Sequence, residues 1–226
     1  MKSTRLTIER AELPQLLNRN GLRGIELGVA CGDFAAHLWK TGLFADLWGV
    51  DAYSDHHNTQ EYVSALKHVG LQANYRLLRM QFEEALNLFP NSYFDFVYID
   101  GYAHTGEEAG KTIYQWFPKV KVGGIIAGHD YHPDWPLVMH AVDCFIRDVG
   151  EELMITALTK NPRPLDKHPS WAARRNSSRD IAYPLQLKEM LEVKTPKSTG
   201  SKSSLFRWFR KSREPFPDNT SDRFHR

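Results

Sequence analysis

The stretch from Gly24 to Leu38 constrains this 226-residue chain more than any other. It reads GIELGVACGDFAAHL, which is a short apolar strand containing Glu26, a turn with Gly28 and Gly32, and an amphipathic helix that starts at Asp33. Glycine lets the backbone turn sharply and approach a ligand closely at the carboxyl end of a strand. We therefore expect a nucleotide-type site at this turn, with Asp33 as the N-cap of the helix.

The charge of this turn indicates which nucleotide fits. A pyrophosphate site uses G-x-G-x-x-G and free helix N–H groups, whereas the Asp33 carboxylate would repel phosphate. Glu26 adds a second negative charge, and Asp51 adds a third at the end of the next predicted strand, 19 residues after Gly32. That spacing is typical of an acid that meets ribose hydroxyls. The pattern favours a ligand with positive charge and a ribose but no phosphate, and S-adenosylmethionine is the common one.

The same segment resembles motif I, E-x-G-x-x-x-G, of the class I S-adenosylmethionine-dependent methyltransferases. Many of these enzymes have glycine where Ala30 stands. In that family the turn after the third strand contacts adenine, although the helical spacing of Phe82 is equally typical of a core residue. The resemblance implies these cofactor-binding residues: Glu26, Gly28, Ala30, Gly32, Asp33, Asp51, Ala52, Gln81, Phe82 and Asp100.

Predicted strands alternate with predicted helices along the chain, which is typical of a parallel sheet covered by helices on both faces. The resemblance implies a Rossmann-like, doubly wound α/β sheet of seven strands, mostly parallel, with an antiparallel edge strand. Strands are predicted at 24–27, 46–51, 75–79, 94–100, 125–128, 153–160 and 170–175, and helices at 33–41, 59–69, 82–89, 106–117 and 137–149. The predicted turn at 118–124 contains Gly123 and Gly124.

Composition and charge divide the chain. A hydrophobic content of 42% supports one sizeable core. Residues 1–159 carry 13 Lys and Arg against 20 Asp and Glu, whereas residues 160–226 carry 16 against 7. We predict an N-terminal helix or lid at 1–21, a catalytic domain at 22–176 and a basic, largely disordered tail at 177–226.

The sequence also argues against several classes of protein. The chain has no apolar run of about 18 residues and no signal region after Met1, so we expect a cytoplasmic protein. Two cysteines give neither a disulfide framework nor a zinc spacing. Nucleic acid is not expected as a partner because the positive charge is confined to the tail. One tail cluster has the amphipathic character of a peripheral membrane or protein contact: Leu205, Phe206, Trp208 and Phe209.

Two further stretches indicate the reaction. They are YIDGYAH at 98–104 and AGHDY at 127–131. With Trp116-Phe117-Pro118 and Gly123-Gly124 they are similar to a bacterial family often labelled methyltransferase 24, which is related to O-methyltransferases of macrolide sugars and of the cephamycin pathway. This resemblance runs from about Leu22 to Trp171 and implies a hydroxyl acceptor on a small molecule, a sugar or a glycan.

Methyl transfer to a hydroxyl requires alignment and a means of making the oxygen nucleophilic. Asp100 and Asp130, at adjacent strand ends, suit a Mg²⁺ ion that lowers the pKa of the hydroxyl, and related sugar methyltransferases use these strand ends for metal ligands. The family's second acid after Ile-Asp-Gly is absent here, and Tyr102 stands near its place. His104 and His129 are the candidates for a general base, with Asp100 as a third catalytic candidate.

Two other functions remain open from the sequence. A nicotinamide-dependent oxidoreductase also has an acid after its second strand, but G-x-G-x-x-G is missing here. A catalytically silent nucleotide-binding or scaffold protein would act through the basic tail. The leading prediction is an S-adenosylmethionine-dependent O-methyltransferase.

Overall fold

An eight-stranded sheet organises the computed structural model, which describes residues 1–54, 57–100, 110–158, 167–179, 181–184 and 187. The spatial order of the strands is β1-β7-β8-β6-β5-β2-β3-β4. All pairs are parallel except those that β8 makes with β6 and β7. The strands are β1 (Ser3–Arg5), β2 (Leu22–Leu27), β3 (Phe44–Val50), β4 (Tyr75–Leu78), β5 (Phe94–Ile99), β6 (Val120–Gly128), β7 (Leu153–Ile155) and β8 (Trp171–Arg174).

Helices connect the parallel strands. A 3₁₀ helix at Arg10–Leu17 precedes β2, and a second one at Phe117–Lys119 leads into β6. The α-helices are α1 (Asp33–Lys40), α2 (Thr59–Ala65), which continues as a π-helical turn at Leu66–Gly70, α3 (Phe82–Leu86), α4 (Lys111–Trp116) and α5 (Pro136–Val149).

The fold class predicted from the sequence is confirmed, and two details differ. The sheet has eight strands instead of seven because Ser3–Arg5, a segment without apolar alternation, adds β1 beside β7. The antiparallel strand β8 is not at the edge, since it lies between β6 and β7 and β1 closes that side. The pairing of Gly128 with Trp171 fixes the register of β6 and β8.

The central strand β5 shows why the sheet is covered on both faces. All six of its residues are buried. Val97 and Ile99 belong to one apolar cluster, and Phe96 and Tyr98 belong to the other, because successive side chains of a strand point to opposite faces. A near-continuous apolar strand of this kind is typical of a parallel sheet between two helical layers.

The glycine pair predicted as a turn lies inside a strand. β6 begins at Val120, and Gly123, with a φ of 85°, marks an irregularity where the register against β5 shifts. A Cβ atom on Gly124 would stand 2.8 Å from the carbonyl oxygen of Asp95. The two glycines therefore permit a bulge close to the neighbouring strand.

Part of the predicted tail packs against the folded body. Leu187 is buried in the apolar cluster that contains Val97 and Ile99 of β5, and Ile181 and Tyr183 pack against that cluster. The body therefore continues beyond the predicted boundary at 176. The cluster at 205–209 lies outside the described residues. None of the helices described is both long and apolar enough to cross a membrane.

Candidate active site

The topology reverses direction at β2, and the candidate site lies there. From β2 the chain proceeds to β3 and β4 on one side, whereas β5 and β6 lie on the other. In open α/β sheets the crevice at such a reversal, outside the carboxyl ends of the strands, is where ligands bind. Glu26 on β2 pairs in register with Tyr98 on β5 and Gly49 on β3. The predicted acids Glu26, Asp51 and Asp100 are thus brought to one edge.

The glycine turn adopts the left-handed backbone that its composition predicts. The φ angles are 93° at Gly28, 47° at Ala30 and 83° at Gly32. A Cβ atom on Gly32 would stand 2.9 Å from the Cα of Ala65. Ala30, at the position where related enzymes often have glycine, takes the left-handed conformation at a cost of about 1–2 kcal/mol.

One prediction at this turn is wrong. The N-cap of α1 is Gly32, and Asp33 is the first helical residue. The reason is that the left-handed backbone needed at the helix entry favours glycine over an Asp side chain. The Asp33 carboxylate nevertheless stays in the first turn of the helix, so the repulsion of phosphate on which the choice of ligand depends is unaffected.

Glu26 has the most unusual environment of the predicted site residues. Its side chain is only 1% exposed, and its Oε2 atom has no hydrogen-bond partner in the described protein. Burial raises the pKa of Glu26 well above 4.5, and the negative charge of Asp100 raises it further, while Arg10 acts in the opposite direction. A buried carboxylate oxygen without a partner is costly unless a ligand satisfies it.

Asp51 holds the glycine turn in shape. Its Oδ2 accepts hydrogen bonds from the backbone N–H groups of Val29 and Ala30 at 3.0 and 2.9 Å, and its Oδ1 accepts one from Tyr53 N–H at 3.0 Å. The Tyr53 hydroxyl in turn donates to the Ala30 carbonyl at 2.9 Å. The predicted partner of the ribose is thus also the residue that fixes the backbone around Ala30, and Ala52 lies directly beside it.

Asp100 takes part in a network that includes a residue not predicted from the sequence. Arg10, from the N-terminal 3₁₀ helix, donates from Nη1 to Asp100 Oδ2 at 2.8 Å and to the Tyr98 hydroxyl at 3.3 Å. The guanidinium also lies 4.3 Å from the ring centroid of Phe34. No motif around Arg10 indicates this role, because the contact joins residues 90 positions apart.

His129 links the two predicted metal ligands. Its Nδ1 lies 3.4 Å from Asp100 Oδ1 and 3.2 Å from Asp130 Oδ1, and its Nε2 lies 3.2 Å from the carbonyl oxygen of His168. The side chain is 3% exposed. Both ring nitrogens therefore face oxygen atoms, and His129 helps to orient the two carboxylates.

The remaining predicted residues are less informative. Gln81 is the N-cap of α3, and its backbone N–H donates to Glu84 Oε2 at 2.9 Å. Phe82 is half-buried and packs against the apolar core, which agrees with the alternative that it is a core residue. His104 lies outside the described residues, so its part in the site stays a prediction.

Comparisons with known proteins agree with this geometry. Residues 25–131 match the family described as a methyltransferase domain. The search of curated proteins found no match.

Solved structures with a similar fold share little sequence with this chain. A putative O-methyltransferase from Klebsiella pneumoniae is 21% identical, with 74% of this chain and 78% of that chain covered and a TM-score of 0.55. An O-methyltransferase from Bacillus cereus, solved in complex with SAH, is 13% identical, with 73% and 80% covered and a TM-score of 0.54. The N-methyltransferase NodS from Bradyrhizobium japonicum WM9 is 13% identical, with 74% and 93% covered and a TM-score of 0.55.

Proposed function

We propose that this chain is a class I S-adenosylmethionine-dependent methyltransferase and that it transfers the methyl group of the cofactor to a hydroxyl oxygen of a sugar or another small molecule. The observation that carries the proposal is the buried Oε2 atom of Glu26 at the glycine turn, which has no hydrogen-bond partner among the residues that the structure describes. The acceptor class rests on the resemblance of residues 98–104 and 127–131 to sugar O-methyltransferases. The proposal places this activity in the cytoplasm.

The residues at the turn fit the cofactor. S-adenosylmethionine supplies a methyl group on a positively charged sulfur, and it also carries an ammonium group and a ribose. Glu26 offers a buried acceptor oxygen that a cationic donor would satisfy. The left-handed turn from Gly28 to Gly32 allows the backbone to approach the ligand. Asp51, beside this turn, is the residue for the ribose hydroxyls.

The charge of this edge supports the choice of cofactor in the proposal. Asp100, Asp51 and Asp33 all act on Glu26 with the same sign. A phosphate-bearing nucleotide would have to enter this negative field, whereas a ligand with net positive charge gains from it. This favours S-adenosylmethionine over the nicotinamide dinucleotides.

We assign the general base to His104 and a positioning role to His129. His129 has protein oxygen atoms against both ring nitrogens, so both nitrogens are engaged within the protein. It instead fixes the orientation of Asp100 and Asp130. We expect His104→Ala to abolish methyl transfer while leaving the affinity for S-adenosylmethionine unchanged in calorimetry. Unchanged turnover would reject the base role, and His37→Ala, an exposed histidine on α1, is the control.

Magnesium fits these residues poorly. Mg²⁺ requires convergent oxygen ligands in a near-octahedral shell. One oxygen of Asp100 is paired with Arg10, and its other oxygen and one oxygen of Asp130 face the imidazole of His129. We therefore expect methyl transfer to persist in EDTA. Loss of activity that Mg²⁺ restores would support the alternative, a Mg²⁺ site at Asp100 and Asp130.

The central experiment compares cofactors and then acceptors. We expect S-adenosylmethionine and its demethylated product to raise the melting temperature, because a ligand that binds only the folded state stabilises it, while NAD has no such effect. Incubation with the cofactor labelled in its methyl group and a panel of hydroxylated sugars and glycosides then identifies the acceptor. Stabilisation by NAD alone would overturn the proposal.

A further inference from the structure

We propose that His132, Asp134 and His168 form a binding site for a zinc-like divalent transition-metal ion, separate from the methyl-transfer residues. Within the described ranges, these three residues are the one group of His, Cys, Asp and Glu side chains close enough to share an ion, with ligand atoms within 4.8 Å of one another. None of them belongs to the predicted magnesium site. The inference does not depend on the methyl-transfer proposal.

The distances between the ligand atoms are near those of a tetrahedral site. Asp134 Oδ2 lies 3.5 Å from His132 Nδ1 and 3.6 Å from His168 Nε2. With metal–ligand distances of about 2.0–2.2 Å, two ligand atoms of a tetrahedral zinc ion stand roughly 3.3 Å apart. Two of the three distances between ligand atoms therefore need only small changes to fit a tetrahedral site. The two imidazole rings are stacked at 4.4 Å between centroids, so binding of one ion by both rings requires the half-exposed His132 ring to rotate out of the stack.

Each imidazole must turn a lone pair toward the ion. The His168 side chain is 8% exposed. A neutral imidazole offers such a lone pair, and metal binding requires that form. The Asp134 backbone N–H donates to His132 Nδ1 at 3.2 Å. This bond occupies the single lone pair of that nitrogen, so binding of an ion through it requires the His132 ring to turn away from the N–H group.

The backbone holds the two contributing segments together. Tyr131 N–H donates to the Pro169 carbonyl at 3.0 Å, and His132 N–H donates to the Asp130 carbonyl at 2.8 Å. The first bond joins the segment that follows β6 to the segment that precedes β8, and the second fixes the turn that carries His132. The antiparallel register of those strands places His132 and His168 beside one another. The ligands thus stand on a preorganised edge of the sheet.

A cavity adjoins the cluster and leaves room for an exogenous ligand. It has a volume of about 450 Å³, and its lining includes His132 itself and both chain neighbours of His168, Lys167 and Pro169. Three protein ligands leave the fourth position of a zinc ion open. The ligand set of two imidazoles and one carboxylate favours Zn²⁺ or Co²⁺ over Mg²⁺, which prefers oxygen ligands.

The test measures binding of the metal alone by the full chain. Protein that has been freed of metal by chelation is titrated with Zn²⁺ in a calorimeter, and with Co²⁺ while the visible spectrum is recorded. We expect one ion per chain, with the stronger visible absorption of four-coordinate Co²⁺. His132→Ala and Asp134→Asn should each weaken this binding at least tenfold, since even the loss of an outer-sphere partner commonly costs about 10- to 100-fold.

Matched variants decide the outcome. His37→Ala removes an exposed histidine on α1, away from the cluster, and should bind Zn²⁺ as the unchanged chain does. His132 and Asp134 are partly and largely exposed, so their variants are expected to fold, and circular dichroism verifies this. Binding that neither variant alters, or no stoichiometric binding by the unchanged chain, would overturn the assignment.

Discussion

The buried Glu26 side chain lowers the stability of the fold, and the proposed function gives it a role in binding the cofactor. The carboxyl group is buried near other acidic side chains, and its Oε2 atom has no hydrogen-bond partner in the part of the chain that the structure describes. A fold that gained nothing from this charge would be more stable without it, because burying an unpaired charge is costly. Its retention beside the glycine turn is explained if a cationic ligand supplies the missing partner.

The substitution Glu26→Gln tests this explanation. The pKa of Glu26 is raised in the folded state, so the folded chain retains a proton that the unfolded chain releases above about pH 4.5. Stability from this group is fully present below that pH and is lost as the pH rises through the folded pKa. We expect the Glu26→Gln variant to lose less stability between pH 5 and pH 8 than the unchanged chain, as measured by urea unfolding.

The same variant should bind the cofactor more weakly. Loss of a charged hydrogen bond of about 1.5–3 kcal/mol corresponds to about a 10- to 100-fold rise in the dissociation constant for S-adenosylmethionine. Glu83→Gln, which changes a half-exposed carboxylate paired with Lys111, is the control for both measurements. Equal affinity of the Glu26 variant and the unchanged chain would remove Glu26 from the cofactor site.

At the scale of elements, the periodicity of apolar residues predicted the helices and strands that have a local sequence pattern. The helix at 137–149 is found as α5, and the strand predicted at 75–79 is found as β4, because apolar spacing and flanking glycines are local signals. Ser3–Arg5 was missed as a strand since its three residues are exposed and only the neighbouring β7 makes it one. The bulge at Gly123 and Gly124 was missed for a similar reason, because it depends on the close approach of Gly124 to the β5 backbone at Asp95.

The same distinction between local sequence patterns and contacts of distant segments applies to the candidate site. The acids at strand ends were predicted, because the carboxyl ends of parallel strands must meet at one edge. Arg10 and His168 were not, since each reaches the site through pairing of distant segments. The individual partners of a carboxylate, such as the N–H groups that Asp51 binds, are likewise tertiary contacts that no spacing reveals.

The contact of Arg10 with Asp100 ties the N-terminal 3₁₀ helix to the sheet edge, and a double-mutant cycle measures its strength. Both side chains are mostly buried, at 12% and 19% exposed. We expect a coupling energy of about 1–3 kcal/mol between Arg10→Met and Asp100→Asn in urea unfolding. The pair Lys2 and Glu152, where the lysine side chain is 79% exposed, should couple by at most about 1 kcal/mol. Equal coupling in the two pairs would mean that Arg10 does not anchor the helix.

The whole molecule combines an acidic folded body with a basic C-terminal region. The folded body extends beyond the residue at which the net charge changes sign. The charge changes sign near residue 160, yet Trp171–Arg174 form the inner strand β8. Beyond it, Tyr183 packs edge-on against Tyr114 at 5.4 Å between ring centroids. Binding of a membrane or a partner protein through Leu205, Phe206, Trp208 and Phe209 remains a prediction.

Two truncations separate the body from the tail. Removal of residues 192–226, which lie outside the compact unit Met1–Leu191, should leave the melting temperature and methyl transfer unchanged, because no described core residue is lost. Removal of residues 177–226 should lower the free energy of unfolding by about 2–5 kcal/mol, since it exposes the core that Leu187 covers. Equal stability of the two truncated chains would show that Leu187 contributes nothing. Loss of methyl transfer by the 1–191 chain, at unchanged melting temperature and cofactor affinity, would instead make the basic region part of the enzyme's working surface.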